Sequence, residues 1–291
     1  MENIQFFLSG VANYPFLQNA LIAGILVGIV CGVVGCFIIL RGMALMGDAI
    51  SHAVLPGVVI AYMLGMSFFI GAVITGVLTA LGIGYISQNS KVKDDSAIGI
   101  LLSGMFAIGV ILITAIGSIE VDIWHILFGN VLAVSQTDLW MTFGITVAVI
   151  AFILLFYKQL LVSTFDPTMA RAIGVPTKLI HYVLMFILSL VTVASLNTVG
   201  IILVVAMLIT PGSTAYLLTD RLPVMLVLSA TFGVVSAIAG VFYSYLYDVA
   251  TGASMVIVAT VIFLLAFFFS PKQGLVVRWF RDRAAQQASQ G

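Results

Sequence analysis

Charge is what this sequence has least of. Only 8% of its residues are Asp, Glu, Lys or Arg, where a soluble domain carries about 25%. A chain so poor in charge cannot cover a water-exposed globule. Its 11 basic residues are balanced by 11 acidic ones, so no basic excess is available to hold a nucleic-acid backbone. Cysteine is nearly absent as well. Cys31 and Cys36 lie in one apolar run, which excludes a disulfide-stapled scaffold and leaves two small buried residues. Three catalytic signatures are missing: the Gly-x-x-x-x-Gly-Lys-Ser/Thr phosphate loop, His-Glu-x-x-His and Gly-x-Ser-x-Gly. The chain therefore has no sign of binding ATP by a phosphate loop, nor of the common metallopeptidase and serine-hydrolase chemistries. No basic stretch precedes the first apolar run, so a secretory signal peptide is not expected.

Apolar residues fill the chain instead. They make up 62% of it, and the mean hydropathy is +1.25. Runs of about 20 residues recur, each long enough for a bilayer core of about 30 Å. Nine segments are read, at 17–40, 44–64, 67–87, 97–117, 138–157, 178–197, 199–218, 224–247 and 252–270. The stretch 121–135 is apolar but too short to cross, and reads as a re-entrant or surface helix. The expected fold is an all-α polytopic membrane protein of about eight or nine transmembrane helices. Residues 1–270 form the membrane domain, and 271–291 a polar, basic cytoplasmic tail.

Loop charges set the orientation. Arg41, Lys91, Lys93, Lys158, Arg171, Lys178, Arg221, Lys272, Arg278, Arg281 and Arg283 all fall on one side of this nine-span arrangement. Glu2, Glu120, Asp122, Asp138 and Asp248 mark the other side. Basic loops stay in the cytoplasm, so the N-terminus is placed outside and the C-terminus inside. The seam at 198–200 is where the count is most open to change, because two spans meet there with almost no loop. Gly24, Gly28 and Gly32 stand four apart in the first span and bare one helix face for close packing. Pro211-Gly212 interrupts the seventh span, as a kink or as a hinge.

Three groups of residues carry potential chemistry. The first is Asp48 with His52, four apart and so on one helix face. An Asp at a helix centre in the membrane costs about 2.5–3.5 kcal/mol on insertion scales, and a bound cation would offset that cost. A carboxylate and an imidazole suit a divalent first-row metal, and Ser51 is placed to add an outer hydrogen bond. A proton relay, a simple hydrogen bond between helices, and a position near the inner interface fit the spacing too. The second group is Glu120, Asp122 and His125, which reads either as an acidic outer vestibule that concentrates cations or as a capped surface loop. The third is a short helix at about 166–173 in an inner loop. Asp166 is a good N-cap, Pro167 fits the first turn, Gly174 ends the helix and Pro176 blocks its continuation. Two turns are not stable alone. Phe165, Met169 and Ile173 at i, i+4 and i+8 give the helix an apolar stripe for docking, with Ala170 and Arg171 between them.

With these residues in view, the sequence resembles the permease subunits of bacterial ABC importers for manganese, zinc and iron, most of all the manganese-type branch. The likeness runs along almost the whole chain. It is densest at 35–57 (GCFIILRGMALMGDAISHAVLPG), and clear again at 125–130 (HILFGN), at 165–174 and at 206–215 (AMLITPGSTA). Several expectations follow from the resemblance alone. It implies a multi-pass protein of the bacterial cell membrane with a type II importer-like fold, working as a homodimer with a two-fold pore. Two copies of a separate cytoplasmic ATPase would hydrolyse ATP, and this chain would not be an enzyme. An extracellular metal-binding lipoprotein would deliver Mn²⁺, or Zn²⁺ or Fe²⁺, as transported substrate, and no permanent cofactor is implied. Asp48 and His52 match the family's pathway residues. The segment Phe165, Asp166, Met169, Ala170, Arg171, Ile173 and Gly174 matches its coupling helix. His125 matches in position without an implied ligand role. Pro167-Thr168 departs from a common family form, in which an acidic residue follows the Asp. Proton- or ion-coupled secondary transport is the alternative, and an intramembrane metalloenzyme is a third reading for which no further ligand or base is found in the spans.

Overall fold

A computed structural model describes residues 2–116, 131 and 134–270. Their regular structure is helical throughout, in thirteen helices. These are α1 (Glu2–Asn13), α2 (Pro15–Leu40), α3 (Met46–Ala53), α4 (Leu55–Met63), α5 (Phe68–Asn89), α6 (Asp94–Ile116), α7 (Gln136–Leu155), α8 (Tyr157–Phe165), α9 (Pro167–Ala172), α10 (Thr177–Val199), α11 (Ile201–Leu218), α12 (Leu222–Tyr247) and α13 (Thr251–Phe269). Among the described residues, eight segments are long and apolar enough to cross a membrane, with Met46–Met63 counted as one, and the apolar part of α11 (Leu203–Leu218) is shorter. The reading of eight to nine spans therefore stands.

Helix α2 is the centre of the bundle. It packs on α12 and α11 and also touches α7 and α10, while α5 bridges α4 and α10. The glycine face foreseen in the first span meets α12. A Cβ on Gly28 would lie 2.7 Å from the Gly233 carbonyl, and one on Gly32 would lie 2.8 Å from that of Ser229. The Ser229 hydroxyl donates to the Gly32 carbonyl at 2.8 Å. Removing side chains thus lets two backbones meet, which is how helices associate where no hydrophobic force drives them together.

Four local features depart from the sequence reading. Helix α1 was not foreseen, because its twelve residues carry no long apolar run. It is held by rings: Phe6 stacks on Tyr245 at 5.3 Å, and Phe7 meets Phe242 edge-on at 5.2 Å. The second span is not one helix but two, divided at Val54. Pro56 has no N–H to return to the His52 carbonyl, so the ladder breaks there. Helix α8 fills the stretch between the fifth span and the short inner helix, where the sequence sets no element. Finally, Pro211 does not interrupt α11, which runs through it to Leu218. There Gly212 admits the backbone of Gly35, which a Cβ would meet at 3.2 Å. The seam between α10 and α11 falls on Gly200 alone. Its φ of +85° and ψ of 164° lie in a region that essentially only glycine occupies.

Candidate functional site

Asp48 and His52 share a face of α3, with His52 Nε2 3.5 Å from Asp48 Oδ1. Asp48 is in the first turn, where the helix dipole favours a carboxylate. His52 sits at the bend before Pro56, and its ring meets Phe106 of α6 edge-on at 5.9 Å. Phe106 was not singled out in the sequence; a lone Phe in a span carries no signal of its own. The bend itself is backed by α5. Gly57 and Gly71 are in backbone contact, and the Thr75 hydroxyl, which donates to the Gly71 carbonyl at 3.0 Å, lies 3.4 Å from that of Val54.

The pair is not enclosed. The Asp48 side chain is 41% exposed and that of His52 33%. Leu45, one turn before Asp48, and Phe106 are exposed beside them. Ser51, by contrast, is buried, and its hydroxyl donates to the Gly47 carbonyl at 2.8 Å within the same helix. No third His, Cys, Asp or Glu joins the pair into a metal-holding group among the described residues. One copy of the chain thus offers two ligand atoms, one oxygen and one nitrogen, to a cation, and leaves the other side open. Glu120, Asp122 and His125 lie outside the described residues.

A second feature stands at the end of the bundle that gathers Arg41, Arg171 and Lys178. Helix α9 begins where the sequence placed it. Asp166 Oδ1 accepts from the backbone N–H groups of Thr168 (3.0 Å) and Met169 (2.8 Å). Gly174, at φ +83°, ends the turn, and the Val175 N–H closes back on the Ala170 carbonyl at 2.9 Å. Ala170 is fully buried against the bundle, whereas Phe165, Met169 and Ile173 are each more than half exposed. The small residue seats the helix, and the apolar stripe faces outward. Asp166→Ala should cost about 1 kcal/mol of helix stability. The measurement is protection of the 167–172 amides from hydrogen exchange, which should fall in the variant while protection of α2 is unchanged.

Comparison with known proteins fits this arrangement. Residues 13–270 match the model of the ABC 3 transport family. The chain is 68% identical over 289 residues to the manganese transport system membrane protein MntC of Halalkalibacterium halodurans, covering 99% of both chains. It is 61% identical over 270 residues to the MntC of Listeria monocytogenes, covering 93% of this chain and 96% of the other. Among solved structures it is similar to a chain of PsaBC from Streptococcus pneumoniae in complex with Fab. The TM-score is 0.83 at 52% identity, covering 93% of this chain and 97% of that one. The helical bundle, the apolar spans and these likenesses together place the chain in the ABC 3 transport family, as a multi-pass permease of the bacterial membrane.

Proposed function

We propose that the chain is the membrane subunit of an ATP-driven importer of divalent metal, with Mn²⁺ as the cargo. Two copies form the pore, and the metal passes a transient site made by Asp48 and His52 of both. A separate ATPase docks on Phe165, Met169 and Ile173, and an external metal-binding protein supplies the cargo. The observation that carries this reading is the half-open pair on α3. A carboxylate and an imidazole on the surface of a membrane span, flanked by exposed Leu45 and Phe106, call for a covering surface and a cation. A second copy related by two-fold symmetry brings the same surface and two more ligands.

Oxygen and nitrogen donors without thiolate suit Mn²⁺, Zn²⁺ and Fe²⁺ rather than Cu⁺. The names of the MntC relatives favour manganese among these. An incomplete ligand set suits transport, because an ion must leave as readily as it enters. ATP binding and release in the partner then shift the two bundles between outward- and inward-open states through α9.

The test is uptake by vesicles that hold this chain, its partner ATPase and the external binding protein. Accumulation of Mn²⁺ should require ATP and all three components. Uptake driven by a proton gradient without the ATPase would overturn the reading in favour of secondary transport.

A further inference from the structure

Beside α9, at the basic end of the bundle, is a cavity of about 400 Å³ that lies outside the proposed metal path. The loop after α2, the end of α5, the start of α6, α8, α9 and the start of α10 all contribute to its wall. Its size is that of a small-ligand site rather than of a single water. Leu40 and Met43 give its wall apolar side chains, and Arg41, Arg171, Lys178 and His181 give it basic ones.

The polar groups of this cavity are short of negative charge. The Arg41 guanidinium is bonded to hydroxyls alone: Nη2 donates to Ser163 Oγ at 2.9 Å, and Nε and Nη2 each lie 3.3 Å from Thr164 Oγ1. Arg171 Nε donates to the Pro167 carbonyl of its own helix at 3.2 Å. Among the described residues, no carboxylate is within ion-pair distance of Arg41, Arg171 or Lys178. His181 Nε2 is buried without a hydrogen-bond partner. Among the described residues, Asp94 is the one carboxylate in the wall, against three fixed positive charges. Burial lowers the pKa of Arg41, a desolvation that a nearby anion would relieve.

We propose that this cavity is a binding site for a phosphate group, held by Arg41, Arg171 and Lys178 with the Ser163 and Thr164 hydroxyls in its wall. A tetrahedral anion matches the set better than a carboxylate does. Cationic donors come from three separate elements and face several oxygens at once, and guanidinium forks suit phosphate oxygens. The cavity lies where the helices end, the depth at which basic pockets between spans take lipid head groups. The phosphate therefore belongs to an anionic phospholipid or to a soluble phosphate, and the Leu40 and Met43 side chains in the wall favour the lipid. An anion there would join the loop after α2, α9 and α10 through their charges and fix the seat of the short helix.

The experiment uses the full chain in neutral detergent and follows thermal unfolding. Dioleoylphosphatidylglycerol, dioleoylphosphatidylcholine and inorganic phosphate are titrated separately, the last against chloride at matched ionic strength. Phosphatidylglycerol should raise the unfolding midpoint saturably, and phosphatidylcholine should not. An equal response to inorganic phosphate would assign the site to the small anion; a response to phosphatidylglycerol alone assigns it to the head group. Arg41→Gln should abolish the effect, but Arg41 also ties the loop to α8. The second variant, Arg171→Gln with Lys178→Gln, changes two exposed side chains and should weaken binding about 30-fold. A response unchanged in that double variant, or no response to either anion, overturns the proposal. So does stabilisation only on adding the ATPase, which would make the cavity a seat for acidic side chains of a protein partner.

Discussion

Asp48→Asn should reduce Mn²⁺ uptake by about 100-fold or more at unchanged membrane expression. The asparagine keeps the shape of the side chain and an oxygen at the same place, 3.5 Å from His52 Nε2. What it loses is the charge. If the pair were only a hydrogen bond within α3, the substitution would be nearly silent. If it binds a cation, two carboxylates vanish at once from the dimer proposed above. Loss of an outer-shell partner of a metal ligand already costs about 10- to 100-fold, and removal of a ligand charge should cost more. His52→Ala should have a comparable effect through the lost nitrogen ligand. The measurement is cellular manganese in a strain that depends on this chain, with wild type and both variants matched for abundance. Unchanged manganese in Asp48→Asn would make the pair structural and remove the centre of the proposed pathway.

The sequence was legible where one principle governed a residue. Apolar run length and the one-sided basic loops set out the spans, because lipid leaves little else to decide. Asp166, Pro167, Gly174 and Pro176 marked α9 to within a residue, since each satisfies a helix terminus locally. The Asp48/His52 pair stood out as charge in an apolar field. Legibility ended where tertiary contact decided. Helix α1 rests on the rings of Phe242 and Tyr245, more than 200 positions away in the chain. The bend at Val54 needed both Pro56, which was visible, and the Gly57–Gly71 contact, which was not. Phe106 beside His52 and the gathering of Arg41, Arg171, Lys178 and His181 around one cavity depend on which helix ends meet. Pro211, visible as a breaker of the span, leaves α11 a single helix to Leu218: a proline within a span removes one backbone bond, and neighbouring helices absorb that loss.

Adding a single methyl at Gly35 should destabilise the protein more than the same change at either of two other glycines. A Cβ on Gly35 would overlap the Leu208 carbonyl oxygen of α11. Backbone cannot rotate aside, so α2 and α11 must part. Overpacking of this kind costs about 1–3 kcal/mol and sometimes more. Alanine's advantage over glycine in a helix, about 1 kcal/mol, does not offset it. At Gly47 the Cβ would meet only the Leu208 Cδ1 methyl, at 2.8 Å, and a side chain can turn away. Gly47→Ala should therefore cost less. Gly144 in α7 has nothing within 4 Å of its Cβ position, so Gly144→Ala should be neutral or slightly stabilising. Unfolding midpoints of the three purified variants should fall in the order Gly144→Ala, Gly47→Ala, Gly35→Ala, with the last far below wild type. Function should follow the same order, because Leu208 packs over Gly47, one residue before Asp48. A wedge between α2 and α11 therefore moves the helix that holds the proposed metal ligands. Equal midpoints for all three would mean that α2 and α11 do not meet backbone to backbone, and the bundle would have to be rebuilt around a different centre.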